Sequence, residues 1–145
     1  SFRPLRLLLV WDPAQGLCER IVPGLTRQLE DRAFLVEARA LEGPADAGLS
    51  AFAGLVLGCP VPGAGLRRHG PSGLVEAWLQ AQTELDQVKT ALFTVGRLGA
   101  GHTLRNTRQR VHDLGGEVVV AHHYCILRPG PESYVLAAEC MVRIR

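Results

Sequence analysis

Apolar residues fall in short blocks, and the spacing between blocks changes from continuous to helical along the chain. Residues 5–11 (LRLLLVW) are almost uninterrupted, the pattern of a strand buried on both faces of a parallel sheet. Residues 54–59 (GLVLGC) and 91–95 (ALFTV) repeat it, whereas residues 34–41 alternate as an edge strand does. Between these blocks Ile21, Leu25 and Leu29 recur one turn apart, and so do Leu74, Ala77, Trp78, Ala81 and Leu85. Leu104, Val111 and Leu114 mark one side of a third helix, stopped by Gly115 and Gly116. Ser72 and Thr103 are the expected N-caps, and Pro23-Gly24 predicts an irregular first half of the first helix.

Residues 118–127 (VVVAHHYCIL) form a fifth block, and after a Pro-Gly-Pro turn residues 134–144 (YVLAAECMVRI) read as one more strand. Strands alternating with helices predict an α/β domain with right-handed crossovers. The expectation is a single domain over residues 1–145, an open, doubly wound, five-stranded parallel sheet in the order 2-1-3-4-5. A C-terminal hairpin, turning at 129–132, replaces the last helix.

Composition adds bounds. The chain has 145 residues, 47% apolar and 21% charged, suited to one globular domain with a three-layer core. The longest apolar run is too short to cross a membrane, and no basic–apolar–small-residue leader precedes it, so no membrane or secretory segment is expected. A formal charge of +2 says little about partners, although Arg67, Arg68, Arg97, Arg105, Arg108 and Arg110 cluster towards the predicted loop side or the third helix. No basic–aromatic interleaving points to nucleic acid. Cys18, Cys59, Cys125 and Cys140 lack CxxC spacing, and a hairpin would hold Cys125 and Cys140 roughly 13 Å apart, too far for a disulfide. Reduced thiols and a cytoplasmic-type compartment are expected.

In this strand order ligands bind where the loops after the first, third and fourth strands converge. Those loops are residues 12–18, 60–73 and 96–102, all containing glycine. The third carries Gly96, Gly99 and Gly101 ahead of a helix N-terminus, a place for a planar or anionic ligand.

The segment 91–116 resembles the fourth strand, loop and helix of flavodoxin-like flavin reductases and quinone reductases, with their F-x-(S/T)-x-G strand end. Leu57-Gly58-Cys59-Pro60-Val61-Pro62-Gly63 resembles the loop after their third strand. The resemblance covers residues 5–127 with loose motifs. It implies FMN, its phosphate held by Asp12, Ala14, Gln15, Gly16, Leu17 and Cys18. Its ring would lie between Pro60, Val61, Pro62 and Gly63 on one side and Val95, Gly96, Arg97, Leu98, Gly99, Gly101 and His102 on the other. Tyr124 is a candidate ring contact, and Trp11 a weaker one. His102 is the candidate catalytic group, able to stabilise charge on reduced flavin from a helix N-terminus. The implied activity is electron transfer from NAD(P)H or a protein donor, through flavin, to ferric iron or a quinone. Some such ferric reductases work inside encapsulin shells.

The sequence departs from that family at two places. Its first loop lacks the Ser and Thr hydroxyls of flavodoxins and carries Asp12 and Glu19, which raises the alternative of an interaction or scaffold domain that has lost its cofactor. Its expected C-terminal arm leaves one sheet face bare, which a symmetric dimer through residues 134–144 would cover. Other chemistries fit less well. Cys59 precedes Pro60 where a nucleophile elbow needs a free N–H. Adjacent His122 and His123 point to opposite faces of a strand and cannot chelate one ion. A phosphorylation receiver would need acidic and lysine positions of which only Asp12 is present, and Gly96-x-x-Gly99-x-Gly101 is no dinucleotide fingerprint.

Overall fold

A computed structural model describes residues 3–63, 70–127 and 132–144. Its five strands are β1 (Leu5–Trp11), β2 (Phe34–Ala40), β3 (Gly54–Pro60), β4 (Lys89–Gly96) and β5 (Glu117–Cys125). They pair in parallel in the order β2-β1-β3-β4-β5, the order expected for a doubly wound sheet of this kind. The helices are α1 (Val22–Asp31), α2 (Gly73–Gln80), α3 (Thr103–Asp113) and α4 (Glu132–Ile144).

Because successive strand residues face opposite sides, the continuous apolar strands feed two cores. Leu7, Leu9, Val56 and Phe93 pack with Leu25 and Leu29 of α1 and with Leu136, Ala137, Cys140 and Ile144 of α4. Leu8, Val10, Leu55, Leu57 and Leu92 face the other way, against Val75, Trp78 and Leu79 of α2 and Val111 of α3. Fully burying one such side chain contributes about 1.5–3 kcal/mol, which is why β1 and β3 carry almost no polar residues. Ser72 caps α2, its Oγ accepting from the Val75 N–H at 3.3 Å. An ion pair between Arg110 and Glu76 ties α3 to α2, and the hydrogen bond from Arg110 holds the Glu76 carboxyl below its ordinary range.

Three expectations are corrected. The last segment is α4, a helix, where a hairpin arm was expected. Leu136, Ala137, Cys140 and Ile144 are buried at spacings of one, three and four, a helical stripe that Tyr134, Val135 and Val142 disguise with β-forming residues. α4 covers the sheet face that the hairpin would have left bare, which removes the reason for a dimer through residues 134–144. Secondly, Thr103 is the first residue of α3 and fully buried, while His102 occupies the N-cap position without a side-chain cap bond. Thirdly, Cys140 lies in a helix, not in the strand expected over residues 134–144. The irregular start of the first helix resolves into 3-10 turns at Ala14–Gly16 and Cys18–Arg20, with Pro23 in the first turn of α1, where its missing N–H costs nothing. Among the described residues no helix is long and apolar enough to cross a membrane.

Candidate functional site

The carboxyl ends of β1, β3 and β4 lie side by side, so the turns that follow them meet at one edge of the sheet. Close backbone approach makes this possible. A Cβ on Gly58 would lie 2.3 Å from Phe93 Cζ, and one on Gly96 would lie 3.1 Å from Val61 Cβ.

The first turn is built around Asp12, which is 5% exposed. Its N–H donates to the Gly58 carbonyl at 3.2 Å, and its Oδ1 accepts the Ala14 N–H at 2.9 Å, an Asx turn. Gly16 N–H donates to the Pro13 carbonyl at 3.1 Å, with Gln15 and Gly16 both left-handed at φ of 60° and 66°. Ala14 and Gln15 are exposed, while the Leu17 and Cys18 side chains turn into the core. Burial, with the nearby Cys59, Asp12 and Glu19, pushes the Cys18 thiol far up. Trp11 donates its indole N–H to Glu19 Oε1 at 3.3 Å and is otherwise core.

In the second turn Pro60 and Val61 remain attached to the sheet, Val61 N–H donating to the Val95 carbonyl at 2.8 Å, and Val61 is buried. Pro62 and Gly63 are exposed at the edge. Arg67 and Arg68, with the rest of residues 64–69, lie outside the described residues. Cys59 is fully buried, and burial pushes its thiol up to about 11, so it holds its proton at neutral pH and cannot serve as a nucleophile.

The third turn begins with the buried Val95 and Gly96 and then exposes Arg97, Leu98 and Gly99; Leu98 is 47% exposed. Gly101 is left-handed at φ 57°. Two residues of β5 hold this turn. His123 Nε2 meets the Leu98 carbonyl at 2.6 Å and its Nδ1 meets Thr94 Oγ1 at 2.7 Å. A carbonyl can only accept, so Nε2 carries a proton and, in the neutral ring, Nδ1 accepts from the Thr94 hydroxyl. Cys125 donates to the Arg97 carbonyl at 3.1 Å. This support was missed in the sequence, where His123 was weighed only as a metal ligand; its signal was its register beside Thr94 across a parallel pair.

His102 sits half-buried at the head of α3, and Arg105 donates to its Nδ1, leaving a neutral ring's proton on Nε2. Tyr124 does not belong to the site. It is 2% exposed and packs edge-on to Phe93 and His122 within the first core.

What remains accessible is an edge of Pro62, Gly63, Arg97, Leu98, Gly99 and Gly101 with His102 behind it, and a first turn of Ala14 to Gly16 over Asp12. The first group suits a planar, largely apolar ring. The first turn suits a phosphate poorly, because a buried carboxylate already accepts one of its N–H groups and no hydroxyl or cation stands in residues 12–18.

No family model matches the chain, and no curated protein matches it in sequence. Solved structures do match. Megasphaera elsdenii flavodoxin in its two-electron reduced form superposes with a TM-score of 0.78 at 19% identity, over 94% of this chain and 98% of that one. Oxidised flavodoxin 2 of Bacillus cereus gives 0.69 at 18% identity, over 96% and 97%. This is the flavodoxin fold. Rubredoxin oxygen:oxidoreductase of Desulfovibrio gigas matches at 0.71 and 13% identity over 99% of this chain, which spans 36% of that larger protein. Such identities speak for the fold alone, and the site rests on its own residues.

Proposed function

We propose that this chain is a small flavin-binding electron-transfer protein. A flavin, FMN in the first instance, would lie with its ring against Pro62 and Gly63 on one side and Arg97, Leu98 and Gly99 on the other. The observation that carries this reading is the meeting of three glycine-containing turns at the carboxyl ends of β1, β3 and β4, with the third fixed by His123 and Cys125. The names of the structural neighbours, one reduced, one oxidised and one an oxidoreductase, favour redox work for the fold. When bound, the flavin supplies the redox chemistry, and the protein supplies position and electrostatics. Leu98 and Pro62 would exclude water from the ring. His102, with its Nε2–H, would donate to a ring carbonyl.

As an oxidoreductase the protein would take electrons from NAD(P)H or a protein donor and pass them to a small acceptor, ferric iron or a quinone, within the cytoplasm or a protein compartment. The expected outcome is quenching of flavin fluorescence on titration with the protein, and at least tenfold weaker binding in Leu98→Asp, which places a charge against the ring. NAD(P)H oxidation dependent on added flavin and ferric iron or quinone would establish the reductase step. Asp12 favours a second reading, an interaction domain of the same fold without cofactor. A colourless protein that leaves flavin fluorescence unchanged would decide for it.

A further inference from the structure

We propose that the first turn gives no preference to a phosphorylated flavin, and that Asp12 makes the site take a flavin ending in a hydroxyl, riboflavin, at least as readily as FMN. The inference rests on the flavin reading above and concerns what the tail of that flavin meets.

An anion site at the end of a strand needs free backbone N–H groups, a helix N-terminus, or hydroxyl and cationic side chains. Here each source is reduced. The Asp12 N–H is spent on the Gly58 carbonyl, Pro13 has none, the Ala14 N–H is spent on the Asp12 carboxylate, and the Gly16 N–H is spent on the Pro13 carbonyl, so of the four N–H groups in residues 12–16 only that of Gln15 is left. The α-helix that should aim its N-terminus at the turn does not begin until Val22, after two separate 3-10 turns, so the aligned peptide dipoles start too late to serve residues 12–16. Residues 12–18 contain no Ser, Thr, Lys or Arg.

Asp12 adds a positive reason for the other ligand. It is 5% exposed, so its charge acts with little screening on anything seated over Ala14 to Gly16. A carboxylate only accepts hydrogen bonds. The terminal group that complements it is a hydroxyl, which donates, and the group it repels is a phosphate dianion.

The test is a pair of fluorescence titrations of the wild-type protein, with riboflavin and with FMN, at low and high salt. The expected result is that FMN binds no tighter than riboflavin at either salt concentration, since a carboxylate buried this deeply is screened little by salt. Asp12→Asn retains an oxygen to accept the Ala14 N–H and removes the charge; it should shift the ratio of affinities towards FMN by about tenfold. FMN binding ten times tighter than riboflavin to the wild type would overturn the proposal while leaving the flavin reading intact, and so would an unchanged ratio in a folded Asp12→Asn. If neither flavin binds, the flavin reading falls and this proposal with it. The wild-type comparison stands even where Asp12→Asn does not fold.

Discussion

At the scale of single residues, the most constrained position near the site is Gly58. Any side chain there enters the Phe93 ring, since even a Cβ would stand 2.3 Å from Cζ. Both residues belong to central strands, so neither backbone can retreat without breaking ladder bonds. Overpacking of this kind costs about 1–3 kcal/mol. Gly58→Ala should therefore lower the urea midpoint by an amount corresponding to about 2 kcal/mol, and adding Phe93→Leu should recover part of it; an undiminished midpoint in the single variant would refute the packing. The same contact gives Gly58 a reason to be glycine that no ligand is needed to explain. The resemblance placed it in a ligand loop, whereas its neighbour across the sheet demands it. His123 is the reverse case. Its sequence neighbours raised only a metal site, which strand geometry set aside, whereas its partners, Thr94 and the Leu98 carbonyl, lie 29 and 25 residues away.

At the scale of elements, β1, β3 and β4 were legible because burial on two faces leaves a continuous apolar run, a pattern that needs no knowledge of what lies opposite, and β2 was legible from its edge-strand alternation. α4 was not legible as a helix. Tyr134-Val135-Leu136 opens it with residues that favour strands, and the Pro129 and Pro131 before it mimic a hairpin turn. Packing against α1 and β5 overrode that local preference, since one helical stripe buries Leu136, Ala137, Cys140 and Ile144 at once. Leu136→Ala should cost about 3 kcal/mol by opening a cavity in the first core, while Met141→Ala, on the exposed side, should change stability by less than about 0.5 kcal/mol. Chemical denaturation of the two variants measures the contrast. Equal losses would contradict a helix in this place.

At the scale of the whole molecule, the two cores decide which side chains can reach solvent or ligand. Cys18, Cys59 and Cys140 are fully enclosed, and burial pushes Cys59 up to about 11 and Cys140 up to about 12. Only Cys125 is part-exposed. An aromatic disulfide reagent at mildly alkaline pH should therefore titrate one thiol in the native protein and four in denaturant. The sign of the pH effect follows from the same shifts. A thiol whose folded pKa lies above its ordinary value of 9.0 leaves stability intact below that pH. Between 9.0 and about 11 the unfolded chain loses the Cys59 proton while the folded one keeps it, so Cys59 contributes a fall in stability across that window.

The alternation of apolar blocks by itself determined the α/β class and the places of the five parallel strands, while their order came from the known arrangement of doubly wound sheets. Class and strand places follow from which residues must leave water, a property written locally in the chain. Tertiary structure alone decided that the last segment is helical, that Tyr124 belongs to the core, that His123 and Cys125 brace the third turn, and that Asp12 is buried under the first. These depend on partners tens of residues away or on hydrogen bonds already spent within a turn, and no local pattern of residue types encodes either.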